Sequence, residues 1–242
     1  MSRTIAILQA RMGSQRLPGK ILRDLCGEPM MARVVARARR AKTLDEVVVA
    51  TTTLPGDDAV EKLAAECGWP LYRGSPDDLT DRYYQAARLH RAETVVRITC
   101  DCPMIEPEIV DRTVSLFKDS KADYVSNGLP PRTFPRGLDT EVFSFAALER
   151  AWREDKNPAW REHATPYLYR HPELFKLSGL AHDSDHSNMR WTVDTPEDMA
   201  FVTKIYEAFG HDRFTWMEAL SLLEKHPDWL EINREIAQKE VG

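Results

Sequence analysis

Short apolar runs alternate with amphipathic segments along most of the chain, and this alternation restricts the fold more than any other feature of the sequence. Residues 5–8, 46–52, 70–73, 94–98, 123–126, 140–143 and 189–193 are brief and mostly apolar or β-branched, as strands are. Helix patterns lie between them. Pro29 opens one in which Met30, Met31, Val34, Val35 and Ala38 share a face. Residues 59–67 form a second, stopped by Gly68, and residues 107–117 and 145–154 form two more. Ser75 is expected to cap another, with Asp78 three residues on. Pro196 starts a helix to 209 with a Thr195/Asp198 capping box, and the 211–242 tail reads as helical with a break at Pro227. Regular βα alternation predicts one α/β domain over 1–242 with a mainly parallel sheet. The Pro- and Gly-rich residues 127–139 begin an irregular stretch to 188, expected to be an inserted lobe for dimerisation or for covering substrate.

With 242 residues, 43% of them hydrophobic, the chain can bury a sizeable core and is not disordered. A formal net charge of -5 argues against a nucleic-acid coat. No apolar run approaches the roughly 20 residues of a membrane span, and the run at residues 4–9 is too short for a signal-peptide core. A cytoplasmic protein with no membrane or nucleic-acid partner is expected. Cys26, Cys67, Cys100 and Cys102 are too few for a disulfide framework. The Cys100-Asp101-Cys102 triplet lacks a nearby His pair, so buried reduced thiols are expected rather than a thiolate metal site.

Charge is unevenly spread. Residues 1–42 hold ten Lys or Arg against Asp24 and Glu28, while the remainder has 23 basic and 36 acidic residues. Arg37, Arg39, Arg40 and Lys42 fit a solvated helix face. Arg11, Arg16 and Lys20 instead fall between a strand and a helix, where a polyanion could be held.

In parallel α/β sheets, ligands bind beyond the carboxyl ends of the strands. The first strand runs into Gln9-Ala10-Arg11-Met12-Gly13-Ser14-Gln15-Arg16-Leu17-Pro18-Gly19-Lys20. Gly13 permits close backbone approach to a phosphate, and three cations can neutralise a triphosphate. The spacing matches neither a Walker A loop nor G-x-G-x-x-G. The strand at 94–98 leads to Asp101, and that at 189–193 leads to Asp194. Carboxylates at two strand tips could share a hard cation such as Mg²⁺, although a turn aspartate more often serves its own backbone.

QARMGSQRLPGKIL and GEPMMARVVARAR resemble the start of CMP-Kdo synthetases and acylneuraminate cytidylyltransferases, and most closely the spore-coat polysaccharide protein F group of that superfamily. The resemblance continues in order through RGSPDDLTDRYYQAA, VVRITCDCPMIEPEIVD, PRGLDTEVFSFAALERAW, REHATPYLYRHPELF and RWTVDTPEDM, covering roughly residues 4–206. It implies a nucleotide-diphospho-sugar transferase fold, a Rossmann-like three-layer α/β sandwich, usually as a homodimer. It also implies Mg²⁺-dependent transfer of CMP from CTP to a sugar hydroxyl, with release of pyrophosphate. Under the resemblance Arg11 and Lys20 would hold the β- and γ-phosphates, with Met12, Gly13, Ser14, Gln15 and Arg16 nearby. Asp101 and Asp194 would bind the metal. Leu8 and Ala10 would touch the base through their backbone, with Arg73 beside it. Arg136, Asp139, Glu141, Glu162 and His163 are candidates for sugar contact, as is Arg161. The family usually carries glycine where this chain has Cys100, so a Cβ is expected near the phosphate approach. Three alternatives stay open: a sugar-1-phosphate nucleotidyltransferase, whose loop typically begins G-x-G-T-R; a glycosyltransferase, which would usually show D-x-D; and a catalytically silent nucleotide-binding regulator.

Overall fold

A computed structural model describes residues 3–238. Seven strands, β1 (Thr4–Gln9), β2 (Glu46–Thr52), β3 (Leu71–Gly74), β4 (Thr94–Thr99), β5 (Tyr124–Ser126), β6 (Glu141–Ser144) and β7 (Leu177–Gly179), form one sheet in the order β3-β2-β1-β4-β6-β5-β7. β1 pairs in parallel with β2 and β4, β2 with β3, and β5 with β7, while β6 runs antiparallel to both neighbours. The sheet is therefore mainly parallel, as the alternation predicts.

Helices cover both faces. Along β1, Ala6 and Leu8 join one apolar core and Ile5 and Ile7 the other, because successive side chains of a strand point to opposite faces. The first core takes Met30, Met31, Val34, Val35 and Ala38 of α1 (Met30–Ala38) and Val60 of α2 (Asp58–Glu66). It also takes Ile109 of α4 (Pro107–Ser120), Phe201 of α8 (Pro196–Phe209) and Trp216 of α9 (Trp216–Lys225). The second takes Tyr83 of α3 (Leu79–Leu89), Leu148 of α5 (Phe145–Glu154) and Leu168 of α7 (Pro166–Arg170). A single-turn α6 (Pro158–Arg161) precedes α7.

The stretch 127–188, expected as an inserted lobe, supplies β6 and β7 to the central sheet. Four expectations are corrected. Residues 189–193 do not form a strand. Only Arg190 makes a bridge, to Arg136, and the amides of Trp191 and Val193 donate to Arg136 and Asp101, neither in a strand. Asp78, not Ser75, caps α3, accepting from the Asp81 amide at 2.8 Å. Ser75 Oγ closes the turn before it by accepting from the Asp78 amide. The tail is helical only through α9 and a 3-10 turn, Pro227–Glu231, and residues 239–242 lie outside the described residues. Arg37 is buried, unlike the exposed Arg39 and Lys42. Its guanidinium donates to the carbonyls of Ile105, Asp212 and Phe214. Cys100 and Cys102 are buried free thiols, while Cys67 is exposed and Cys26 partly so, each beside a surface turn. Among the described residues no helix is long and apolar enough to cross a membrane.

Candidate active site

β1 and β4 lie side by side, with β2 and β3 continuing the sheet one way and β6, β5 and β7 the other. A crevice opens beyond the carboxyl ends of such a pair. Here it is a cleft of about 940 Å³.

The loop after β1 forms one wall. Ala10, Arg11, Gly13, Ser14, Gln15, Arg16 and Lys20 line the cleft. The loop is anchored from behind by Asp57, which is buried; its Oδ1 accepts from the Met12 amide at 2.6 Å and its Oδ2 from the Thr52 hydroxyl. The amides of Gly13 and Gln15 make no hydrogen bond among the described residues, and the Arg11 side chain has no ion-pair partner there. Gly19, at φ 66°, turns the chain into a 3-10 helix, Lys20–Leu22, and sends Lys20 inward. Leu8 and Met12 do not line the cleft: Leu8 is fully buried, and the Met12 side chain packs on the core. Arg73 does not line it either. Its guanidinium pairs with Asp58 at 2.8 Å and Glu61 at 2.5 Å on α2.

Asp101 and Asp194, remote in sequence, are brought together by backbone pairing. The Asp101 carbonyl accepts from the Val193 amide at 2.8 Å and from the Thr192 hydroxyl at 3.2 Å. Lys20 Nζ then bridges the two side chains, donating to Asp101 Oδ2 at 2.8 Å and Asp194 Oδ1 at 2.7 Å. Arg16 and Arg190 approach Asp194 Oδ2 at 2.9 and 2.8 Å. Arg190 is itself fixed by Asp198, which is fully buried and also accepts from the Asp194 amide. Thr195 and Asp198 make the expected capping box, and Asp198 has this second duty. Burial alone would raise the Asp101 pKa, yet the Lys20 ammonium outweighs it and holds the group at about 2. Burial opposes the Lys20 charge in turn, and the two aspartates still raise its pKa. Cys100 keeps an ordinary backbone conformation and belongs to the buried apolar core, so its Cβ is accommodated.

The opposite half of the cleft gathers Arg136, Asp139, Glu141, Glu162 and His163, five of the six expected sugar contacts. Asp139 pairs with Arg132 at 2.6 Å, and Glu141 pairs with Arg97 and accepts from the Tyr124 hydroxyl at 2.8 Å. Arg136 has no ion-pair partner among the described residues. Burial, then Arg97, lowers the His163 pKa and favours the neutral imidazole. Arg161 is turned away, paired with Asp78 at 2.7 Å. Gly137 joins the two halves: at φ 107°, any Cβ there would lie 2.6 Å from the Thr192 nitrogen. Sequence reasoning missed Arg97, Arg132 and Arg190. Arg97 left a signal, a charge inside the otherwise uncharged run TVVRIT; Arg132 and Arg190 left none.

The sequence pattern that defines the family described as Cytidylyltransferase matches residues 5–236. The chain is 30% identical over 238 residues to the spore coat polysaccharide biosynthesis protein SpsF of Bacillus subtilis, covering 94% of this chain and 97% of that one. It is 43% identical over 145 residues to a 3-deoxy-manno-octulosonate cytidylyltransferase of Anaeromyxobacter sp., spanning 58% of this chain and 54% of the relative. A solved cytidylyltransferase from Leptospira borgpetersenii superposes with a TM-score of 0.91 at 32% identity, covering 99% of this chain and all of the other. Match length, identity and superposition agree, and the chain belongs to the cytidylyltransferase family.

Proposed function

We propose that the chain transfers CMP from CTP to a hydroxyl of a sugar, releasing pyrophosphate, and that the acceptor is a sugar acid of a surface polysaccharide. The observation that carries this reading is the meeting of Asp101 and Asp194 at one cation, with Arg16 on Asp194 and Arg11 lining the same switch-point cleft. The polysaccharide assignment draws on the SpsF relative, and the sugar acid on the 3-deoxy-manno-octulosonate relative.

Two carboxylates that converge on one positive charge are a donor set that suits Mg²⁺, which takes one or two carboxylates and completes its shell with phosphate oxygens and water. No group of three or more His, Cys, Asp or Glu is placed to cage a metal among the described residues, so water and phosphate oxygens would complete the shell. The chemistry a bound Mg²⁺ supplies is charge compensation on the α-phosphate.

The chain's own residues do the rest. Arg11, Arg16 and Lys20 neutralise the β- and γ-phosphates and the charge that grows on departing pyrophosphate. The free amides of Gly13 and Gln15 add donors to the same anion. Ala10, which lines the cleft, flanks the base. Arg136 offers its free guanidinium to an acceptor carboxylate, and Asp139, Glu141, Glu162 and His163 orient its hydroxyls. Two copies form the working unit in this reading, which light scattering at micromolar concentration tests.

Pyrophosphate release, measured over the four ribonucleoside triphosphates and a panel of α-keto sugar acids, aldoses and sugar 1-phosphates, tests the function. Release with CTP and a sugar acid is expected. Release only with a sugar 1-phosphate, or CTP binding without release on any acceptor, would contradict it.

A further inference from the structure

Lys20 stands where Asp101 and Asp194 converge, and it has no donor left over. Its ammonium donates to Asp101 Oδ2 at 2.8 Å, to Asp194 Oδ1 at 2.7 Å and to the Val193 carbonyl at 2.9 Å. An ammonium carries three N–H bonds, so Lys20 cannot grip a phosphate oxygen without releasing at least one of these acceptors. The second oxygen of Asp194 is engaged by Arg16 and Arg190. The two carboxylates are thus charge-compensated by protein cations alone. A divalent ion entering beside Lys20 would meet a like charge a few ångströms away in a largely buried setting, where repulsion is strong.

We propose that Lys20 is the resting occupant of the divalent-cation position, and that an arriving triphosphate draws it off the aspartates and so opens the position. This rests on the nucleotidyl-transfer reading above and adds its regulation: metal and nucleotide enter as a coupled pair. Arg11, exposed and unpaired among the described residues, is free to meet the phosphates before the exchange. By linkage, whatever factor the nucleotide adds to metal affinity, the metal adds to nucleotide affinity.

The test uses Lys20→Met, which keeps much of the side chain's length and removes its charge. Mn²⁺ binding to the whole protein without nucleotide is read by electron paramagnetic resonance. Lys20→Met should bind Mn²⁺ at least tenfold more tightly than the unaltered protein, and Asp101→Asn added to it should remove the gain. Lys20→Arg, which keeps the charge, should bind Mn²⁺ as weakly as the unaltered protein. Calorimetry in EDTA with a nonhydrolysable CTP analogue should move the other way, with Lys20→Met binding at least tenfold more weakly. Opposite changes for two ligands do not follow from a general loss of structure. Equal Mn²⁺ affinity with and without Lys20, or no Mn²⁺ binding by either protein, overturns the proposal. If Lys20→Met folds poorly, Lys20→Gln replaces it, with melting temperature as the readout. Mn²⁺ should raise that temperature more in the variant than in the unaltered protein, and an equal rise overturns the exchange. The Mn²⁺ contrast needs no nucleotide, so its failure is separate from a failure of pyrophosphate release.

Discussion

Asp101 and Asp194 sit in unlike surroundings, and their substitutions separate two contributions. Asp101 depends on Lys20 for its low pKa, whereas Asp194 is also held by Arg16 and Arg190. Asp101→Ala and Asp194→Ala should each lower kcat by about 10²-fold or more, the scale of removing an electrostatic group from a reacting centre. The fold should persist by circular dichroism, and full activity in either variant would remove the shared-cation reading. The Asp101 pKa falls from 3.8 in the unfolded chain to about 2, so its contribution to stability is complete above pH 3.8. That contribution is lost as pH falls through the folded value. Acid unfolding of Asp101→Asn should therefore depend less steeply on pH between about 4 and 2 than that of the unaltered protein. Arg136→Ala should raise the acceptor KM by about tenfold or more, the loss of one charged hydrogen bond, and leave the CTP KM unchanged. Steady-state kinetics with each substrate varied in turn reads the split.

The phosphate-facing loop is the element on which the site most depends, and its anchor lies outside it. Asp57, at the start of α2, ties the Met12 amide and the Thr52 hydroxyl together. Asp57→Ala leaves the part-buried Met12 amide without its acceptor. It should cost about 1–3 kcal/mol by chemical denaturation and raise the CTP KM, while Asp57→Asn, which keeps an acceptor, should recover most of both. Elements that carry their own local mark were legible in the sequence: β1 and β2 as short apolar, β-branched runs, and the Thr195/Asp198 box as a pair three residues apart. The segment 189–193 was not. Its alternating Met189, Trp191 and Val193 read as a strand, but its amides pair with Arg136 and Asp101, which no local pattern reveals. Arg73 was misplaced for a related reason. The resemblance put it beside the base, while on β3 its guanidinium is taken up by Asp58 and Glu61 of α2.

Across the molecule, one buried arginine joins distant parts of the chain. Arg37 on α1 spans Ile105 in the loop beyond Asp101 and the carbonyls of Asp212 and Phe214 before α9, and stacks 4.7 Å over the Phe214 ring. Its position three residues after Val34 put it beside the apolar stripe, yet its charge read as solvated, because the accepting carbonyls come from remote segments. Arg37→Ala should destabilise by about 3–5 kcal/mol, read from the denaturation midpoint, since it removes the cation beside Glu106 and strands the buried carbonyls of Ile105 and Phe214. The α/β class and its parallel sheet were legible because each strand and helix carries its own period. The joining of β6 and β7 to that sheet was not, because pairing partners leave no local mark. A crystal structure with CTP and Mn²⁺ bound bears on the whole argument at once. The expected result is a triphosphate gripped by Arg11, Arg16 and Lys20, with the ion on Asp101 and Asp194. A nucleotide bound away from the β1 and β4 tips, or bound there while Lys20 still bridges both aspartates, would contradict it.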